Sequence, residues 1–364
     1  IAEIFGTFRN VDKETVLTPW RVVNMHMGKT IGGYSFYDDN YNNTTVEGKN
    51  AAHWVNTEYT DRIFRIADPQ NNNVRILEIN SKTGLYPLYA TMSLYYREYL
   101  KMVDESAGKF SLEDERKIWQ KILRENIFVV AKTEMAKTIT QRTLSGYLDM
   151  DTNVEFVDNI VEDAKEDVGK EAEKIEGVFG GMKFDVVIGN PPYQDKTKGK
   201  QEKYAPPIYN EFMDLSYNLA DIVTLITPAR FLFDAGSTPK SWNRKMLNDE
   251  HFKVIYYEAD SGKVFPRTEI KGGVAISLRD SNENFGSIGT FIAYDELKSI
   301  KKKVNIKEDS ERLPNYIHVQ NKFDLDSLYE DHPQYRKIIG SDGTDKRFRN
   351  NIFEKIDAFT EERK

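Results

Sequence analysis

The chain has 364 residues and no cysteine. That excludes structural disulfides and thiolate metal sites, and is what a reducing compartment favours, so a cytoplasmic location is expected. No apolar run approaches the ~18 residues of a membrane-spanning helix, and no membrane partner is expected. No basic segment leads into an apolar one near Ile1, so no secretion signal is read there. Positive charge is not in excess. The formal net charge of −7 argues against a surface that grips polyanions everywhere, but leaves room for a local basic cleft. The five histidines (His26, His53, His251, His318 and His332) are scattered without ligand-spaced partners, and no metal site is expected. Asp38-Asp39 lacks the alternating spacing of a calcium loop. There is no Gly-x-Ser-x-Gly elbow, no repeat and no low-complexity tract.

What is present is an alternation of short apolar runs with helical periods. Strands are expected at 74–79, 127–131, 153–157, 184–189, 222–227, 252–257 and 273–278. Helices are expected at 85–102, where Leu88, Met92, Tyr95 and Tyr99 recur every three or four positions, and at 113–123, 135–144 and 209–219. The charged run 162–176 is either an exposed helix or a connector. This alternation argues for an α/β fold with a mostly parallel sheet, whose ligands bind beyond the carboxyl ends of the strands. The turn at Ser81–Gly84 and the tip at Asn190–Tyr193 both fall at such ends. After Leu278 the chain turns polar and charged. The expected organisation is an N-terminal segment 1–60, a core 61–285 and a further region 286–364. The Ile start and the brevity of the last region lead us to expect a piece of a longer protein, truncated at Lys364.

The run Val186-Val187-Ile188-Gly189-Asn190-Pro191-Pro192-Tyr193 carries the most information. A buried strand delivers a carboxamide, two rigid prolines and an aromatic ring into a loop, which suits the gripping of a flat, hydrogen-bonding ligand such as a nucleobase. A turn without function can also carry two prolines. Lys196, Lys198, Lys200 and Lys203 follow, either as a basic cleft for a DNA backbone or as a solvated loop.

Asn190-Pro191-Pro192-Tyr193, preceded by Phe-Asp-Val-Val-Ile-Gly, resembles the catalytic signature of amino-group DNA methyltransferases that make N6-methyladenine. The order of motifs resembles their gamma class and, within it, the methylase part of Eco57I-like restriction-modification proteins. The resemblance covers roughly residues 15–280. Thr18-Pro19-Trp20 is similar to the N-terminal motif over the methionine end of S-adenosylmethionine. Ile76-Leu77-Glu78 and the loop to Gly84-Leu85-Tyr86 resemble the strand and turn that cradle this cofactor, and Ile127–Val130 the second strand. Pro207-Ile208-Tyr209 with Phe212, Thr227–Phe231 and Val264-Phe265-Pro266 resemble the later motifs. Two positions depart from the pattern. Lys82 stands where a glycine is usual, and Ala131, followed by Lys132, stands where an acidic residue holds the ribose.

The resemblance implies a Rossmann-like S-adenosylmethionine-dependent fold: a mostly parallel seven-stranded sheet with helices on both faces, followed by the start of a target-recognition region. It implies methyl transfer to the N6 of an adenine flipped out of double-stranded DNA, as the modification part of a restriction-modification system. Such a system implies a prokaryotic cell, and nuclease or helicase parts would then belong to the same full-length protein. In that reading Asn190 and Pro191 accept hydrogen bonds from the target amino group, Pro192 stiffens the turn, and Tyr193 and Phe265 stack on the base. Thr18, Pro19, Glu78, Asn80, Gly84 and Asp158 form the cofactor site, with Glu78 or Glu134 taking the ribose in place of Ala131. Two other readings stay open. Lys82 and Ala131 fit a degenerate methylase fold that binds DNA or a partner without catalysis. The short Asn-Pro-Pro-Tyr signature also occurs in enzymes that methylate a non-DNA planar nitrogen.

Overall fold

The structure is a computed structural model, and it describes residues 17–42, 52–55, 74–106, 109–195, 205–266, 268–304, 325–339 and 356. In chain order the elements are α1 (Trp20–Thr30), β1 (Gly33–Ser35), β2 (His53–Val55), β3 (Ile76–Ser81), α2 (Leu85–Ser106), α3 (Leu112–Glu125), β4 (Ile127–Ala131), α4 (Glu134–Ser145), β5 (Asn153–Phe156), α5 (Ile160–Glu166), α6 (Val168–Val178) and β6 (Phe184–Gly189). They continue with α7 (Tyr209–Leu219), β7 (Ala220–Pro228), α8 (Lys240–Asn248), β8 (Phe252–Glu258), β9 (Val274–Asp280), α9 (Asp295–Val304), α10 (Leu325–Asp331) and α11 (Tyr335–Ile339).

Seven strands form one sheet in the order β5-β4-β3-β6-β7-β9-β8. The pairs from β5 through β7 are parallel, and β9 runs antiparallel to both β7 and β8. Both faces of the sheet are covered, which is why its strands read as continuous apolar runs. Successive residues of one strand point to opposite faces. Leu77, Ile79, Phe128 and Val130 thus join a core with Ile175 of α6, Met213 of α7 and Met246 of α8. Ile76, Ile127, Val129 and Ala131 join the other, with Met27 of α1, Tyr89 of α2, Leu123 of α3 and Leu144 of α4. The charged run resolves into α5 and α6, which bury Ile160, Ala164, Ala172 and Ile175 and leave their lysines outside.

Before residue 294, two helices escape the periodicity argument, and none of α9, α10 and α11 after it was expected. In α1, Val22, Val23, Asn24, Met25, His26, Met27 and Gly28 are all buried, so no polar stripe marks it in the sequence. Asn24 is satisfied inside by the Trp20 carbonyl at 2.8 Å and the Phe36 amide at 2.9 Å. Short α8 follows Pro239 directly and buries only Trp242, Asn243, Met246 and Leu247.

The chain divides into two compact units, Ile1–Ala293 and Tyr294–Lys364. In the second, Tyr335 and Ile356 are buried together, with Leu328, Tyr329 and Ile339 against them. Among the described residues no helix is long and apolar enough to cross a membrane.

Candidate functional site

The chain leaves β3 for β4 on one side, while β6 pairs with β3 on the other, so the strand order reverses between β3 and β6. In open α/β sheets the ligand crevice forms beyond the strand ends at such a switch point. Glu78 stands beside Ile188 in the parallel register, which brings the loop after β3 next to the tip after β6. Two glycines make this close approach possible. Gly189 has φ +145°, and a Cβ there would sit 3.3 Å from the Ile79 carbonyl oxygen. Gly84 has φ +73°, and a Cβ would sit 3.1 Å from Cα of Thr140. The turn between β3 and Gly84 is held by Ser81, whose Oγ accepts from the Gly84 amide at 3.2 Å and meets Thr140 Oγ1 at 3.1 Å.

Among the described residues, seven buried side-chain polar atoms lack a hydrogen-bond partner. Four of them lie on these two strand ends: Glu78 Oε2, Asn80 Nδ2, Asn190 Oδ1 and the Tyr193 hydroxyl. An unsatisfied buried polar group costs about 1–3 kcal/mol. A cluster of them at the switch point is what a pocket built for a polar ligand retains. Burial pushes the Glu78 carboxyl up to about 8, against the opposing pull of the Ser81 hydrogen bond and the Lys82 charge. Burial also raises the Tyr193 phenol. The Asn190 amide works weakly against that shift, although no hydrogen bond of normal geometry closes to the Tyr193 hydroxyl.

The expected site residues fall as follows. Thr18 leads into α1, where its Oγ1 accepts from Asn190 Nδ2 at 3.0 Å, with Pro19 as the helix N-cap. The two segments are 172 positions apart in sequence. Asn80 adopts the left-handed conformation at φ +64°. Tyr193 and Phe265 meet edge to face, with ring centroids 6.4 Å apart and planes at 72°, in a cluster with Val22, Met25, Tyr41 and Ile226. Phe265 is fully buried, so these rings do not form the parallel walls of a base sandwich. Asp158 follows β5 at the exposed surface, its Oδ1 accepting from the Asn159 amide at 2.9 Å. Lys196, Lys198, Lys200 and Lys203 lie outside the described residues.

Both departures from the family pattern have a visible form. Lys82 Nζ donates to the Asn190 carbonyl at 3.1 Å, tying the two loops together. Ala131 is buried and offers no carboxylate, and Glu134 is exposed in the first turn of α4. The sequence reading missed His26 and Thr224 as members of this region, and named Tyr86 only as the end of the cofactor loop. His26 Nδ1 lies 2.7 Å from the Tyr86 hydroxyl and Nε2 lies 2.8 Å from Thr224 Oγ1. These partners are 60 and 198 positions from His26, so no local pattern could have announced them.

The sheet order with its single reversed strand, the glycine turn at the switch point and the asparagine tip define a class: the Rossmann-like fold of S-adenosylmethionine-dependent methyltransferases. The unpartnered polar atoms and the two close-approach glycines fit such a cofactor. Residues 125–265 match the family of Eco57I restriction-modification methylases. The chain is also 34% identical over 106 residues to an uncharacterized adenine-specific methylase of Mycoplasma pneumoniae, a match covering 29% of this chain and 25% of the relative. The chain therefore spans about a quarter of that relative's length. Among solved structures, a nuclease-deletion mutant of the Type ISP restriction-modification enzyme LlaGI with a DNA substrate mimic aligns with TM-score 0.45 and 15% identity, covering 80% of this chain and 26% of that one. A modification subunit of a putative type I restriction enzyme from Vibrio vulnificus YJ016 aligns with TM-score 0.41 and 12% identity, covering 82% and 55%.

Proposed function

We propose that this chain transfers a methyl group from S-adenosylmethionine to the exocyclic N6 of an adenine flipped out of double-stranded DNA, as the modification part of a restriction-modification system. The observation that carries the reading is the Asn190 carboxamide. Its nitrogen is tied to Thr18, while its buried oxygen has no protein partner. A bare acceptor on a rigid Pro-Pro loop is what an amino group needs. The N6 lone pair is delocalised into the ring. Hydrogen bonds from the amino group to Asn190 Oδ1 and the Pro191 carbonyl would favour sp³ character and aim the nitrogen. Pro192 would hold the turn.

A base inside a duplex cannot reach this crevice, and stacking on Tyr193 would help repay the cost of extruding it. Phe265 would brace Tyr193 edge-on, and would face the base directly only if the tip turned. S-adenosylmethionine would supply an electrophilic methyl group. Glu78, Asn80 and Gly84 would line its pocket, with Thr18 and Pro19 as one wall and Asp158 toward the adenine end. Lys196, Lys198, Lys200 and Lys203 would contact the DNA backbone. The second unit would begin the target-recognition region, with nuclease or helicase parts elsewhere in a longer protein.

Incubation with labelled S-adenosylmethionine and adenine-containing duplex DNA should yield N6-methyladenine in the digested nucleosides, and Asn190→Ala should abolish it. No incorporation by the wild-type chain, or full incorporation by the variant, would overturn the reading. Lys82 and Ala131 favour one other reading, a methylase fold that binds DNA or a partner without catalysis. Saturable cofactor binding by this chain separates the two.

A further inference from the structure

The turn that leaves β7 presents a cation and an aromatic ring together. Arg230–Phe233 form a 3-10 turn just beyond the carboxyl end of β7. With about three residues per turn, positions three apart project on the same side, so Arg230 and Phe233 share one face. Phe231 and Leu232 between them are buried and anchor the turn. Phe231 packs on Tyr209, ring centroids 6.1 Å apart, and the neighbouring Ile208 amide donates to the Tyr193 carbonyl at 3.2 Å. The turn therefore stands beside the Asn190–Tyr193 tip, one strand over in a parallel pair whose strands lie about 5 Å apart. Arg230 is exposed, yet its stem is held. A Cβ at Gly272, φ +87°, would overlap Arg230 Cγ, and one at Gly236 would sit 3.3 Å from Arg230 Cβ. A positive φ alone would admit asparagine, whereas the contact with the arginine stem admits only glycine. Among the described residues no hydrogen bond or ion pair engages the guanidinium. The neighbouring Asp234 carboxylate is already taken, by Asn243 Nδ2 at 3.1 Å and Lys240 Nζ at 3.4 Å.

Phe233 is 44% exposed, and its ring is braced edge-on by Tyr257 at 5.6 Å and Phe291 at 5.3 Å. Tyr257 donates to the Gly272 carbonyl at 3.4 Å, which joins this brace to the glycine that holds the arginine. A pre-ordered guanidinium beside a rigid, exposed ring matches a nucleotide, whose phosphate is met by the charge and whose sugar and base are met by the ring. S-adenosylmethionine carries no phosphate, so the feature is not explained by the cofactor. We propose that Arg230 and Phe233 form a DNA-strand site beside the crevice, in which the guanidinium takes a backbone phosphate next to the extruded adenine and the Phe233 ring packs against the same nucleotide. The choice of DNA as ligand rests on the methylase reading. A contact of this kind fixes where the strand lies and carries no sequence information of its own. Little side-chain freedom is lost on binding, because the stem and the ring are already immobilised.

Anisotropy of a fluorescently labelled, mixed-sequence duplex titrated with the full chain over a range of salt concentrations tests the site. One phosphate contact releases about 0.9 counterion, so Arg230→Gln should flatten the slope of log K against log salt by about 0.9 and weaken binding about eightfold at roughly 0.1 M salt. Arg230→Lys, which keeps the charge, should restore the slope. Phe233→Ala should weaken binding about fivefold with the slope unchanged, and Phe233→Trp should recover it. Affinity for labelled S-adenosylmethionine should stay the same in Arg230→Gln. Wild-type binding with an unchanged slope in Arg230→Gln would overturn the site alone. A loss shared by Arg230→Lys would mark a structural role and overturn it too, and an unchanged affinity in Phe233→Ala would remove the ring from it. No duplex binding by the wild-type chain would refute the site and the DNA reading together. Binding with the expected change of slope but no N6-methyladenine formed would refute the methylase reading and leave the site standing.

Discussion

Two buried titratable side chains near the crevice respond to pH in opposite senses. Glu78 is held up to about 8 from an ordinary 4.5. A carboxyl raised in this way binds more protons folded than unfolded between those values, so its contribution to stability is complete below pH 4.5 and is lost as pH rises through 8. A cationic ligand in the same pocket favours the carboxylate. Cofactor binding at pH 7 should therefore release a proton, and affinity should climb with pH and level off above about pH 8. Calorimetry in buffers of different ionisation enthalpy reads the proton directly, and Glu78→Gln should remove both the release and the slope. His26 behaves in the other sense: burial lowers it from 6.5 to about 3, and its ring faces Tyr86 and Thr224. The unfolded chain takes up a proton below pH 6.5 that the native ring refuses. Stability should thus be complete above pH 6.5 and fall by about 1.4 kcal/mol per pH unit down to about pH 3. Denaturant titrations of the wild-type chain and His26→Gln should differ by that slope. The glutamate was legible in the sequence as a strand-end acid, whereas His26 looked like one of five scattered histidines.

At the scale of elements, the tip after β6 works because its last strand residue is glycine. Gly189 combines a positive φ with close approach to the Ile79 carbonyl. Gly189→Ala would impose backbone strain on the order of 1–2 kcal/mol and push the tip away from β3. Thermal unfolding should report the first effect, and loss of methyl transfer beyond what the stability change explains should report the second. The strands β4 and β6 were legible to the residue, because strands covered on both faces are apolar throughout and end where the polar turn begins. The helices α2, α3, α4 and α7 were legible by period. By contrast, α1 was not, since a helix buried all round shows no period. Nor does any local signal say that β9 runs against its neighbours.

For the whole molecule, the division at Ala293/Tyr294 makes the first unit a candidate for independent folding. A 1–293 fragment should unfold cooperatively and retain saturable binding of labelled S-adenosylmethionine, because both cores and both crevice loops lie within it. A fragment that is unfolded, or folded without cofactor binding, would contradict this. The two cores, one on each sheet face, place every expected cofactor residue except Asp158 near the β3–β6 switch point. Asp158 instead sits beyond β5, two strands out. By itself, the sequence determined the alternation of strands and helices, the asparagine-proline tip and the order of motifs, because backbone periodicity and turn chemistry are local. Only the tertiary structure decided which polar groups meet. Thr18 reaches Asn190, Lys82 takes up the Asn190 carbonyl, and His26 bridges Tyr86 and Thr224. Such contacts join positions far apart in the chain, and a buried hydrogen bond is dictated by the folded geometry that excludes water, not by the residues beside it in sequence.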